Sequence, residues 1–258
     1  MFTLVGYTES QDSSTLTNVA ALADPHVRVS GDDITVPAGL NYVGGVYAIG
    51  GSITRAQLVS PSIRRRYPLE IVPVEIAAEP ADPVKYFPLF DNPIQLDPDE
   101  SLNFQAAENG AGANQSSGFV WLTDGPISPI SGAEIFTIRA TNTSTLTAYV
   151  WTNGALTFND TLPAGEYALV GARASSAGLI AFRFVFSQYA WRPGAIGMDT
   201  VGEVGAPIFR HGKLGEWGQF SHNTPPTVDF LSLSADTSQT VDLDLVLLSG
   251  RLSGPGRS

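Results

Sequence analysis

The feature that most restricts the fold is a repeat. Val36-Pro37-Ala38-Gly39 returns as Leu162-Pro163-Ala164-Gly165, so that Pro37 corresponds to Pro163 at an offset of 126. At that offset Gly45 meets Gly171, Ala48 meets Ala174, Ile53 meets Leu179, Val59 meets Val185 and Arg66 meets Arg192. Much later, Phe104 falls on Phe230, and Phe119-Val120-Trp121-Leu122-Thr123 falls on Leu245-Val246-Leu247-Leu248-Ser249. Upstream, Thr15-Leu16-Thr17 matches Thr145-Leu146-Thr147 once a small gap is allowed. The alternative is chance similarity between glycine-rich stretches, and a constant offset across two distant blocks weighs against it. A chain of 258 residues then divides into halves that are each long enough to bury a core. The expected units are 1–128 and 129–258. They would be joined near Thr123-Asp124-Gly125-Pro126-Ile127-Ser128-Pro129, where the prolines stop strand pairing.

Within each half the chain reads as β-structure. Twenty-six Gly and eighteen Pro cut it into short segments and leave little room for helices. Between them lie runs rich in β-branched and aromatic residues, such as Glu134 to Thr141, Leu146 to Trp151 and Leu179 to Phe186. In the last of these, Phe182, Phe184 and Phe186 share one face, because side chains alternate along a strand. Val241 to Leu248 begins as strict alternation and ends as an apolar run. That pattern predicts a strand wet on one side at its start and covered on both sides at its end. The nearest approach to a helix is Ser14 to Ala23, where Leu16, Val19, Ala20 and Leu22 partly fit helical spacing. Pro-Ala-Gly reads as a turn. Many short strands between turn signals point to all-β sandwiches or barrels, and with the repeat the expected chain is two tandem sandwiches.

Two sandwiches of about 125 residues in one cysteine-free chain, each ending on a long apolar strand, resemble the double jelly-roll major capsid proteins of icosahedral viruses, in particular the small ones of bacterial viruses. The resemblance covers the whole chain and rests on architecture. It implies two jelly rolls side by side, a homotrimer of pseudo-hexagonal outline, and self-assembly into a virion shell formed in the host cytoplasm. It also implies contact with other virion proteins. The apolar inner faces, including Phe182, Phe184, Val185 and Leu245, would build the lobes. A short chain leaves little length for outward towers, so the capsomer would be low.

Charge narrows the partners. Through Ser128 there are six basic and fifteen acidic residues, and after it eight and ten, for a net charge of −11 overall. A main surface that embraces a phosphate backbone is therefore not expected, and no particular nucleic-acid sequence would be read. Arg64-Arg65-Arg66, between Pro61 and Pro68, is the one basic run. It reads as a contact with the carboxylates of a neighbouring subunit, a contact with genome or an inner membrane, or a solvated loop. Twelve of the fourteen basic residues are Arg, a bias that suits interfaces and that GC-rich coding also produces.

No enzyme, cofactor or metal is expected. Cysteine is absent, which excludes thiolate chemistry and disulfides. His26, His211 and His222 stand in no His-Glu-x-x-His or nucleophile-elbow arrangement. Paired carboxylates brought together by the fold would still permit a hydrolase. Asp97-Pro98-Asp99-Glu100 reads as an acidic turn or the start of a calcium site, and Asp32-Asp33 likewise. Gly44-Gly45 and Gly50-Gly51 lack the helix and Lys-Ser/Thr of a phosphate loop and read as bulges or close strand approach. Nothing at the N-terminus resembles a standard secretion signal, and no apolar run is long enough to span a membrane. A second functional class is a tandem carbohydrate-binding module, gripping ligand through exposed Trp151, Trp191 and Trp217; a virion spike or minor capsid protein built from the same sandwiches lies between the two.

Overall fold

The computed structural model describes residues 1–64, 69–75, 87–200 and 206–250. Its backbone divides into two units, Met1–Ile127 and Ser128–Ser258. The eight principal strands of the first are β1 (Phe2–Gln11), β2 (Asp33–Thr35), β3 (Tyr42–Gly50), β4 (Ile53–Val59), β5 (Leu69–Ile71), β6 (Ile94–Gln95), β7 (Ser101–Glu108) and β8 (Asn114–Thr123). They form two antiparallel sheets, ordered β1-β8-β3-β6 and β2-β7-β4-β5, with shorter pieces at the margins. The chain crosses from sheet to sheet at nearly every connection, which is the path of an eight-stranded jelly roll.

The second unit repeats that path. Its strands are β9 (Phe136–Asn142), β10 (Thr152–Gly154), β11 (Gly165–Ser175), β12 (Leu179–Val185), β13 (Gly194–Ile196), β14 (Gly218–Ser221), β15 (Thr227–Ser232) and β16 (Gln239–Gly250). Their orders, β9-β16-β11-β14 and β10-β15-β12-β13, equal the first pair with eight added to each strand number. The fold is all-β, as the spacing of glycine, proline and β-branched residues predicts.

The repeat register holds for part of the chain only. Strand β4 carried forward 126 positions lands on β12, end for end. Strands β3 and β11 each carry a bulge at the same point: Gly44 is skipped between Gly45↔Trp121 and Val43↔Leu122, and Val170 between Gly171↔Asp244 and Leu169↔Leu245. The ladders then correct the later blocks. Tyr47 faces Phe119, and its counterpart Arg173 faces Asp242, so Phe119 corresponds to Asp242 and not to Leu245. Ala56 faces Ala106 while its counterpart Phe182 faces Phe230, so Phe230 corresponds to Ala106 and not to Phe104.

Three local expectations also change. Ser14 to Ala23 is not helical: the Ser13 hydroxyl accepts from Thr15 N, and Thr17–Asn18 then pair with Gln105–Ala106 of β7. Pro37-Ala38-Gly39 is a turn, with Gly39 at φ 89° and Leu40 N donating to Pro37 O. Gly165 instead opens β11, where a Cβ would stand 2.3 Å from Ser249 O, so close approach to β16 is what glycine permits there. In β16 the burial runs opposite to expectation: Val241 to Leu245 are buried, while Leu248 is skipped by the ladder and exposed.

The core of the first sandwich gathers Val5, Tyr7, Val46, Ala48, Leu58, Phe104, Val120 and Leu122. Tyr7 stacks on Phe104 with centroids 5.9 Å apart and donates its hydroxyl to Leu102 O at 2.7 Å, so its polar end is satisfied inside. In the second sandwich Phe182 and Phe184 pack edge to face at 5.9 Å, while Val185 points the other way and is half-buried. Gly118 is where β8 passes the Phe104 ring: a Cβ there would lie 2.5 Å from ring carbons. Gly118→Ala overpacks that contact and is expected to lower stability by about 1–3 kcal/mol, read as a fall in the urea midpoint.

Candidate functional site

Each sandwich buries the two sheet faces that meet in its core. The chemistry that distinguishes the halves lies on the opposite face of the sheet holding the first and last strands. In the second unit Asp242 and Asp244 project from β16 between the buried Val241, Leu243 and Leu245. Arg139, directly across on β9, donates Nε to Asp242 Oδ1 at 2.8 Å, and Arg173, across on β11, donates Nε to Asp242 Oδ2 at 2.7 Å. Asp244 is fully buried. It accepts from Arg210 Nε and Nη2, both at 2.7 Å, from Thr137 Oγ1 at 2.7 Å and from His211 N at 2.8 Å.

Asp244 therefore fastens a connection onto the sheet. The segment around Arg210 and His211 also gives Gly212 N to Val170 O at 2.7 Å and Trp217 N to Leu169 O at 2.8 Å. Gly171 makes the approach feasible, since a Cβ there would stand 2.8 Å from both His211 N and Asp244 Oδ2. Burial by itself would push both carboxyls up, but the hydrogen bonds from Arg139 and Arg173 to Asp242, and from Arg210, Thr137 and His211 N to Asp244, outweigh it. Both are held below the usual carboxylate range. The same hydrogen bonds raise Arg139 and Arg210.

The other sheet of this unit carries a second ion cluster. Arg183 on β12 is buried and donates Nε to Asp229 on β15 at 3.0 Å. Arg192 and Asn153 also donate to that carboxylate. The Arg183 guanidinium lies 4.3 Å from the centroid of the Trp151 ring. Trp191 stacks on Tyr189 at 4.3 Å and donates Nε1 to Trp217 O at 3.3 Å. Trp217 is buried against Phe184. The expectation that Trp151, Trp191 and Trp217 form an exposed ligand platform is corrected: Trp217 is core, and the other two are half-buried, with Arg183 and Tyr189 against their rings.

In the first unit the corresponding positions are apolar. Leu4, Tyr47, Phe119 and Trp121 stand where the second unit has Thr137, Arg173, Asp242 and Asp244. All four are buried, and they lie outside the core cluster on the reverse of the sheet. Tyr47 and Phe119 rings are 6.3 Å apart, and Phe90 sets its edge against Trp121 at 6.2 Å and Phe2 at 6.4 Å. The glycines at 44 and 45 read from sequence as bulge or close approach are both: a Cβ on Gly44 would stand 2.9 Å from the Phe90 ring, and one on Gly45 3.2 Å from Trp121.

The remaining nominated residues do not converge. Arg64 closes a single helical turn, Pro61–Arg64, and Arg65 and Arg66 lie outside the described residues. Glu100 accepts from Ser62 N at 2.9 Å and from its hydroxyl, and Asp99 sits at φ 64° in a turn. Asp33 accepts from Asn103 and Asp32 from Asn18. His26 and His211 are exposed, and His222 Nδ1 accepts from Gly165 N at 3.3 Å. Among the described residues no three His, Asp or Glu side chains come together as a metal-holding group, and no helix is long and apolar enough to cross a membrane.

No family model and no curated protein matches the sequence. Among solved structures, the crystal structure of the major capsid protein P2 from bacteriophage PM2 aligns over 96% of this chain and 98% of that one, at 8% identity and a TM-score of 0.28. The jelly-roll assignment rests on strand order and not on that superposition.

Two outcomes test the ion pairs. Asp244→Asn leaves Arg210 beside a neutral amide in a buried setting and is expected to cost about 3 kcal/mol, measured by urea unfolding. Because the folded-state values of Asp242 and Asp244 lie below their unfolded ones, their contribution is complete above about pH 4 and is lost as pH falls through the folded values. Stability followed down the acid range should decline less steeply in a variant carrying both Asp242→Asn and Asp244→Asn than in the wild type.

Proposed function

We propose that this chain is a structural subunit of a virus particle, a major capsid protein that assembles through trimers into an icosahedral shell. The observation that carries this is the repetition of one eight-stranded jelly-roll order twice in a single polypeptide. Three copies of such a chain present six lobes of similar outline. A closed threefold ring can then occupy near-sixfold positions with one gene product. Its working chemistry is packing and surface complementarity, with no catalytic residue and no cofactor.

The partners that follow are further copies of the chain, other virion proteins, and an internal membrane or genome on the inner side. The place of action is the virion, after assembly in the host cytoplasm. Arg64-Arg65-Arg66 is assigned to contact with a neighbouring subunit, because the excess of carboxylates in the first half gives guanidinium forks a matching surface. The carbohydrate-binding alternative loses support with the burial of Trp217.

The purified protein is expected to run as a trimer by light scattering at micromolar concentration, and to yield hexagonal tiles by electron microscopy on concentration. A monomer insensitive to concentration would overturn the proposal. Replacing Arg64, Arg65 and Arg66 together by Ala should reduce tiling while leaving the unfolding free energy measured in urea within about 0.5 kcal/mol of wild type.

A further inference from the structure

Asparagine followed by glycine occurs twice in the chain, at Asn109-Gly110 and Asn153-Gly154. The two sites are chemically the same dipeptide in very different surroundings. We propose that Asn109 is a site of spontaneous deamidation, and that the fold protects Asn153 from the same reaction.

The reaction is internal. The Gly110 backbone nitrogen, giving up its proton, attacks Cγ of Asn109. A new C–N bond forms, the Cγ–Nδ2 bond breaks, and ammonia leaves. Water then opens the resulting succinimide at one of its two carbonyl carbons, giving aspartate or isoaspartate. No oxidant or reductant takes part. The step needs a following residue with no Cβ to block the attack, a backbone nitrogen free to move, and stabilisation of charge on the side-chain oxygen as the tetrahedral intermediate forms.

Asn109 meets these needs. It lies in the exposed connection between β7 and β8, outside either ladder. Gly110 sits at φ 74° and is exposed, and even a Cβ built on it would meet nothing nearer than Ser14 Cβ at 3.5 Å. Asn109 N donates to Ser52 O at 3.1 Å, which anchors the residue on the side away from the Asn109–Gly110 peptide. Most directly, Ala111 N donates to Asn109 Oδ1 at 2.9 Å. That bond folds the amide back along the chain over Gly110 and places a donor on the oxygen that gains negative charge.

Asn153 has the opposite setting. It belongs to β10, and Thr152, Asn153 and Gly154 pair with Phe230, Asp229 and Val228 of β15. Its Nδ2 donates to Thr227 Oγ1 at 2.9 Å and to Asp229 Oδ1 at 2.8 Å, which keeps the amide on the neighbouring strand. Gly154 is buried, and a Cβ there would stand 2.2 Å from Asn142 Nδ2, so the peptide cannot swing toward the side chain. Conversion at Asn109 adds a negative charge next to Glu108, whose carboxylate already accepts from Ser52 N and Ser116 Oγ. Where isoaspartate forms, the β7–β8 connection gains a backbone methylene.

The test is timed incubation of the folded protein at mildly alkaline pH, followed by peptide mapping by mass spectrometry and isoaspartate quantitation. Conversion at Asn109 is expected to exceed that at Asn153 by about tenfold or more, equivalent to a barrier difference of about 1.4 kcal/mol. In urea the ratio should fall toward unity. Equal conversion in the folded protein, or a ratio that persists in urea, overturns the proposal. Ala111→Pro removes the donor to Oδ1 and should slow conversion at Asn109 several-fold; an unchanged rate would overturn the part assigned to Ala111.

Discussion

A two-sheet sandwich has four faces and hides only two of them in its own core. In each half of this chain the sheet that holds the first and last strands also places buried residues on its reverse face. In the first half, Leu4, Tyr47, Phe119 and Trp121 occupy it. Burial of side chains this large contributes about 1.5–3 kcal/mol apiece. In the second half the same ladder positions hold Thr137, Arg173, Asp242 and Asp244. Buried ion pairs give back in Coulomb energy roughly what their desolvation costs, so this face contributes direction more than net stability. Asp244, with four donors around it, sets where the Arg210–His211 connection lies.

These differences explain what could be read from the letters alone. The all-β class was legible because glycine and proline punctuate short runs of β-branched and aromatic residues, a pattern that only strands satisfy. The inward placement of Phe182 and Phe184 was legible from period two. The environment of Asp242 and Asp244 was not. Alternation shows that two faces of a strand differ, but it does not say which one water reaches. The partners of Asp242 are Arg139 and Arg173, 103 and 69 positions away, and no local window contains them. A usable signal did exist: two carboxylates alternating with apolar residues, in a chain whose cations are mostly arginine. The same non-locality hid Trp217, which the sequence reading takes as exposed and which backbone bonding to Leu169 draws against the sheet.

The repeat shows how far sequence similarity follows structural equivalence. An offset of 126 is correct for the third and fourth strands of each half, where both halves skip one residue at the same bulge. It fails in the last strand for a reason of parity. Phe119 lies on the reverse face of its sheet, whereas Leu245 is buried among inward residues between Asp244 and the end of the ladder to β9. Aligning the two exchanges faces, which a strand with one committed face does not tolerate. In the seventh strand the displacement is even, so Phe104 and Phe230 both remain inward and the similarity survives to the eye although the ladder has moved by two residues. An alignment constrained to preserve facing places Phe119 on Asp242 or Asp244, and either choice shows that an aromatic face in one half answers to a charged face in the other.

In the proposed role of a shell-forming subunit, a difference between the two halves is useful. Two lobes with the same strand order supply the common outline that a near-sixfold tile requires. Identical lobes, however, would let neighbouring copies engage in either of two registers, since each contact would be repeated at nearly the same geometry. A difference in exposed charge between the lobes removes the ambiguity, because a surface that pairs with one lobe leaves charges unpaired against the other. The net charge follows the same division, with the carboxylate excess concentrated in the first half and near balance in the second. In that proposed role, shared topology would set the shape of the tile, and the unequal charges of the halves would decide which way round it is laid.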